Sequence, residues 1–244
     1  MPILFIVILF FILFLLNSPK VKGYFGELGV RIILKRLNKE EFEVLHNIML
    51  MIDGKTTQID HIIVARSGVF VVETKNYKGW IFGSEHSKYW TQTIYKSKQR
   101  FQNPIHQNFG HIKYLEHFLP DYSGPFFSII SFSMRGTLKK IDVESEAIHV
   151  IHSVQIPTVI KSKTVFGMSS NSVRRVVEMI READVKDKRI AKKHVQTIKL
   201  KQQIKVEKVL QGLCPKCGNE LQERRSKYGV FNGCSQYPKC RYTN

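Results

Sequence analysis

Asp60, Glu73, Lys75 and Gln107 follow one another in the order acid, acid-x-lysine, amide. Two carboxylates held close together repel unless a cation lies between them, and hard oxygen donors suit Mg2+ or Mn2+. A cation so held clamps a scissile phosphate and makes a bound water more acidic, while a nearby lysine orients that water or neutralises developing charge. The chemistry indicated is phosphodiester hydrolysis without a covalent enzyme intermediate. The same letters also suit a plain solvated Glu-Lys pair on a strand, so the elements that carry them decide.

Residues 58–64 and 69–75 are β-branched-rich runs separated by Ser67-Gly68, which predicts two strands joined by a tight turn. Alternation puts Val71, Glu73 and Lys75 on one strand face and Phe70, Val72 and Thr74 on the other, and pairing across the hairpin brings Asp60 beside Glu73. Glu27, in Gly26-Glu27-Leu28-Gly29, opens an amphipathic stretch through Val30, Ile33, Leu34 and Leu37, and is a candidate further metal ligand. Asn103-Pro104 is a helix start for a stretch reaching Leu119, with Gln107 one turn in, placed to hold water or substrate. A hairpin is expected from 80–83 and 89–94, and further strands at 126–132 and 147–151. A capped helix after Ser169 carries Val173, Val176, Val177 and Ile180 to near Asp184. Trp80 and Trp90 read as packing residues. The nine histidines form no HxH or HExxH pattern, so none is nominated as a ligand; His61 and His106 flank motif residues and are left a supporting role at most.

The blocks Gly26-Glu27, Gln58-Ile59-Asp60-His61, 68–79 and Asn103-Pro104-Ile105-His106-Gln107-Asn108 together resemble, in order and spacing, those of the nuclease-related domain, NERD, over residues 20–135. The resemblance implies an α/β fold of the PD-(D/E)xK nuclease-like superfamily, a mixed four-stranded sheet flanked by helices. It also implies metal-dependent nuclease chemistry carried by Asp60, Glu73 and Lys75, with Glu27 and Gln107 in support. Ile59 stands where the superfamily name has proline.

All four cysteines fall at the end of the chain, as Cys214-Pro215-Lys216-Cys217 and Cys234 with Cys240. A CxxC knuckle followed by Gly218 wraps two thiolates round a tetrahedral Zn2+, and the second pair completes the ligand set; disulfides are the alternative, disfavoured in a reducing compartment. Arg224, Arg225, Lys227 and Arg241 surround Tyr228, Phe231 and Tyr237, an alternation that suits phosphate contact plus base stacking. The segment closely resembles the C-terminal zinc finger of type IA DNA topoisomerases, which implies single-stranded DNA as its ligand. No extended region able to house a topoisomerase's tyrosine nucleophile is present.

The net charge of +18 is unevenly spread: residues 185–244 hold 15 Lys/Arg against 4 Asp/Glu, leaving +7 for the first 184. A basic tail of this kind reads as a polyanion-binding arm, or alternatively as a solvated linker or lipid anchor. At the other end, Ile3 to Leu16 is an unbroken apolar run. Even counted from Met1, about sixteen helical residues reach ~24 Å, short of the ~30 Å hydrocarbon core, so the span is marginal and a cleaved signal peptide is its rival. No basic residue precedes the run and no small-x-small site closes it, which fits the signal pattern poorly; Lys20, Lys22 and Arg31 after it place the body in the cytoplasm.

The sequence thus reads as four segments: a single-pass membrane anchor over 1–18, a NERD nuclease-like domain over 19–184, a basic linker over 185–210 and a four-cysteine finger over 211–244. The expected function is Mg2+- or Mn2+-dependent cleavage of DNA. The alternative is a non-catalytic nucleic-acid-binding or scaffold protein that keeps the nuclease fold.

Overall fold

The computed structural model describes residues 18–164, 167–186, 188–226 and 229–243. The apolar run expected to anchor the chain lies outside them, and among the described residues no helix is long and apolar enough to cross a membrane. The chain divides into two compact units, 1–185 and 186–244.

In the first unit, helix α1 (Pro19–Leu34) precedes strands β1 (Phe42–Ile52), β2 (Lys55–Ala65), β3 (Gly68–Lys75), β4 (Gly79–Ser84), β5 (Tyr89–Ile94) and β6 (Ser97–Gln102). Helix α2 (Pro104–Phe118), β7 (Phe126–Phe132), β8 (Gly136–Asp142), β9 (Ile148–His152), α3 (Ile156–Ser162) and α4 (Ser170–Ala183) follow. The principal sheet has the order β1-β2-β3-β7-β9, with β1 to β3 antiparallel and β3, β7 and β9 parallel. It is mixed, as expected, but has five strands rather than four. A second sheet, β6-β5-β4-β8, was not expected as a separate layer.

Helices cover both faces of the principal sheet. Val30 and Leu34 of α1 and Ile156 and Ile160 of α3 pack with Phe70, Val72 and Ile129 on one side. Ile112 and Leu115 of α2 and Val173, Val176, Val177 and Ile180 of α4 pack with Ile62, Val64, Val69 and Val71 on the other. Strand β3 is therefore buried on both faces, which is why its sequence is a continuous apolar run up to Glu73. Each such fully buried aliphatic side chain contributes roughly 1.5 to 3 kcal/mol. The turn into β3 is Arg66-Ser67, with Ala65 paired to Gly68, one residue earlier than the sequence suggested. Gly68 has φ 145°, and a Cβ there would meet the Pro125 carbonyl at 2.7 Å.

The second sheet docks through Ile81 and Trp90, which join Ile130 and Phe132 of β7 in a third cluster. Trp90 lies flat on Phe132 with ring centroids 6.1 Å apart, and Gly83 leaves room for the indole. Trp90 is thus the packing residue expected. Trp80 is not: it is 51% exposed on the sheet's outer face.

In the second unit, α5 (Lys188–Leu210) occupies the basic segment read as a linker, and β10 (Leu221–Ser226) and β11 (Gly229–Cys234) form an antiparallel hairpin. Gly212, with φ 71°, turns the chain out of α5.

Candidate active site and zinc centre

The acid site is assembled where β3 ends against the start of α2. Glu73 and Lys75 point the same way, and Lys75 Nζ lies 2.6 Å from Glu73 Oε1. The same ammonium donates to Gln107 Oε1 at 2.9 Å. Gln107 therefore holds the lysine, a sharper role than the water or substrate contact expected of it. Its position is set by Asn103, whose Oδ1 caps α2 at the Ile105 amide (2.9 Å) and whose Nδ2 donates to the carbonyls of Ser84, Glu85 and Ser87. Asn108 then clamps α2 to the sheet by donating to the Val71 carbonyl and Ser128 Oγ, each at 2.8 Å.

His111, one turn beyond Gln107, puts Nε2 3.1 Å from Glu73 Oε2, and its Nδ1 lies 2.8 Å from Thr57 Oγ1. With Nε2–H donating to the carboxylate, the ring bridges Glu73 and the Thr57 hydroxyl. Burial pushes the Glu73 carboxyl up, but Lys75 and His111 together outweigh it and hold the group below the usual carboxylate range. Burial likewise works against the Lys75 ammonium, and Glu73 more than offsets it, so the lysine stays charged. Neither His111 nor Thr57 was singled out from sequence. The available signal was spacing: His111 is four residues after Gln107, hence on the same helix face.

Asp60 is placed by a break in the β1–β2 ladder. The pairing skips the Asn47/Asp60 position, where Asn47 adopts the left-handed conformation with φ 54°. Side-chain alternation fails there too: Ile59 packs with Ile62 and Val64, while Ile63 and Ala65 face the opposite helices. Irregularities of this kind re-aim side chains beside functional sites. Asp60 Oδ2 accepts from the Thr74 amide at 2.8 Å. Burial, reinforced by the nearby Glu73 and Glu27 charges, drives its pKa up to about 8 against the opposing pull of that amide and Lys75.

Glu27 sits within α1, and burial followed by Glu73 raises its carboxyl, with Arg31 opposing. The Asn47 amide serves both neighbours when its nitrogen donates to Glu27 Oε2 (3.2 Å) and its oxygen accepts from Arg31 (2.6 Å). Gly26 lets α1 approach, since a Cβ there would stand 2.8 Å from Asn76 Cβ. His61 faces away from the acids. It is buried against His46, the two Nδ1 atoms 2.8 Å apart, and burial with the His46 and Arg31 charges lowers its pKa to about 3. His106 is exposed on α2.

The donors fit a hard divalent cation. Asp60, Glu73 and Glu27 are mutually repulsive carboxylates, and burial disfavours the Asp60 charge although its Oδ2 accepts the Thr74 amide, so a cation relieves what burial imposes. The acids form a loose group: among the described residues only the cysteines bring three or more ligand atoms within 4.8 Å of one another.

That second set is Cys214, Cys217, Cys234 and Cys240. Tetrahedral Zn–S bonds of about 2.3 Å place sulfurs about 3.8 Å apart. Cys214 and Cys240 are 3.7 Å apart and Cys217 and Cys234 3.3 Å, so the pocket has the size of a zinc site. Gly218, with φ 79°, turns the first knuckle and donates its N–H to the Cys214 carbonyl at 2.8 Å. Beside the cysteines, Arg224, Phe231, Tyr237 and Arg241 line a groove of about 260 Å3, joined by Tyr242 and Thr243, which sequence reasoning missed. Arg224 stands 5.5 Å from the Tyr237 ring centre and donates to the Cys234 carbonyl at 3.1 Å. Arg225 is exposed but does not line this groove, because strand alternation turns it from Arg224. Lys227 and Tyr228 lie outside the described residues.

Residues 22–133 match the family model of the nuclease-related domain, and residues 211–244 that of the topoisomerase DNA-binding C4 zinc finger. An uncharacterized protein of Bacillus anthracis is 42% identical over 200 residues, covering 79% of this chain and 94% of its own. DNA topoisomerase 1 of Methanocaldococcus jannaschii is 60% identical over 31 residues, 13% of this chain but 4% of the topoisomerase. The uncharacterized YrdD of Escherichia coli is 66% identical over 29 residues, 12% of this chain and 16% of that protein. No solved structure matches this chain. The chain belongs to the nuclease-related domain (NERD) family and carries, in its last 34 residues, a zinc ribbon of the topoisomerase type.

Proposed function

We propose that this protein is a Mg2+- or Mn2+-dependent nuclease of the PD-(D/E)xK type that hydrolyses phosphodiester bonds of DNA. In this reading its zinc ribbon holds single-stranded DNA and residues 1–18 anchor it to a membrane with the body in the cytoplasm. The observation that carries the catalytic reading is Lys75, held between Glu73 and Gln107 beside the desolvated Asp60. Asp60 and Glu73, with Glu27 near them, are the residues that would hold the cation. A divalent cation bound there supplies the charge that draws electron density from the scissile phosphate and makes an attacking water more acidic.

The chain's own residues do the rest. Lys75 keeps its proton, so it serves as a fixed positive charge for the developing charge on phosphate oxygens rather than as a general base. Gln107 fixes the ammonium in place, and His111 holds the far oxygen of Glu73 so that the carboxylate keeps one orientation. One observation favours the non-catalytic alternative: both Glu73 oxygens already have protein partners. The test is incubation of the full chain with end-labelled single- and double-stranded DNA and RNA, with Mg2+, Mn2+ or neither. Metal-dependent shortening of DNA supports the proposal. DNA binding without cleavage under every metal condition establishes the alternative.

A further inference from the structure

The outer face of the second sheet is out of keeping with a purely structural layer. Its inner face buries Ile81 and Trp90. Register then puts Trp80, Thr93 and Lys98 in one outward row, Phe82, Thr91 and Arg100 in the next, and Tyr89 beyond them. Trp80 is half exposed, and Tyr95, at the tip of the β5–β6 turn, is 97% exposed. Cations stand over the rings: Lys139 Nζ is 4.9 Å from the Trp80 centroid, and the Arg100 guanidinium and Lys88 Nζ are 5.0 and 5.2 Å from that of Tyr89. The four strands contain a single acid, Asp142 at the end of β8, and among the described residues none of Lys88, Lys98, Arg100 or Lys139 forms an ion pair.

We propose that this face binds a single strand of nucleic acid, with bases stacked on Trp80 and Tyr89 and the backbone neutralised by Lys98, Arg100 and Lys139. Aromatic rings interleaved with unpaired cations on an open sheet suit a ligand that carries both π-faces and phosphates. Four residues along a strand separate the Trp80 and Tyr89 rows, ~14 Å, which about four stacked nucleotides span. The face is fixed to the acid site's framework. Gly79, whose Cβ would strike the Thr93 carbonyl at 2.4 Å, sets the start of β4, and Asn103 ties the loop after β4 to the start of α2, four residues before Gln107. This site is additional to the zinc ribbon and does not depend on cleavage.

Trp80 and Trp90 are the only tryptophans, and Trp90 is fully buried, so emission of the zinc-loaded full chain reports on this face. The chain is titrated with a twelve-nucleotide oligothymidylate without added Mg2+ or Mn2+, which separates binding from cleavage. Saturable quenching is expected, absent in Trp80→Phe. Trp80→Ala should weaken binding on the order of tenfold, and Arg100→Ala should lower the slope of log affinity against log salt by about 0.7. Oligothymidylate that binds with unchanged tryptophan emission overturns the proposal. So does equal quenching by heparin, a polyanion without bases, which would mark a general anion surface.

Discussion

Replacing Asp60 by asparagine should stabilise the protein while destroying its proposed metal site, and the gain should depend on pH. The carboxyl is moved from 3.8 to about 8 by burial and by Glu73. The folded chain therefore keeps a proton that the unfolded chain releases, and stability falls as pH rises from about 4 to about 8. At 1.36 kcal/mol per tenfold change in proton affinity, the ionised carboxylate costs at most about 5 to 6 kcal/mol, and half of that, about 3, is still a substantial fraction of typical domain stabilities of about 5 to 15. Asparagine keeps the shape and an oxygen for the Thr74 amide but carries no charge. Urea unfolding followed by tryptophan emission reads the first unit alone, since both tryptophans lie in it. Parent and Asp60→Asn should coincide near pH 4 and diverge by at least ~2 kcal/mol at pH 8.5. Mg2+ should close the gap by stabilising the parent and leaving the variant unmoved. Parallel stability curves from pH 4 to 8.5 would refute the buried-charge argument.

Glu73→Gln should act in the opposite direction, because it strips Lys75 and His111 of their shared anion. A loss of about 3 kcal/mol, or roughly 6 to 12 °C in Tm, is expected at neutral pH by thermal unfolding. Cys214→Ser should remove zinc and tight single-stranded DNA binding by the ribbon together, read by metal analysis beside DNA affinity, while leaving the tryptophan-monitored transition unchanged. Deletion of residues 2–16 should move the protein from the membrane to the soluble fraction at moderate salt; recovery of a mature chain already cleaved there would favour a signal peptide.

The strands that carry the acids were legible because β3 is buried on both faces, and α2 because Asn103-Pro104 combines a cap with a first-turn proline. The helix after Ser169 was legible from its serine cap and from apolar positions falling on one face. What stayed hidden was non-local. Strand β1 lacks clean alternation because it breaks at Asn47, and that break, which aims Asp60, involves residues 13 positions apart in sequence. Glu73 is held by Lys75 of its own strand and by His111 of α2, itself met by Thr57 of β2; His111 belongs to no HxH or HExxH pattern, and its place four residues after Gln107 tells only once Gln107 is known to face the acids. Trp80 and Trp90 look alike as letters; only the register of β4 and β5 separates the buried ring from the exposed one.

The most direct measurement is single-turnover cleavage of labelled DNA by the parent and by folded Lys75→Ala, each with Mg2+ and with EDTA. Cleavage by the parent in Mg2+ alone, and a rate at least about 100-fold lower in Lys75→Ala, are expected from a charge held between Glu73 and Gln107 at the reacting phosphate. Undiminished cleavage by the folded variant, or full activity of the parent in EDTA, would contradict the account.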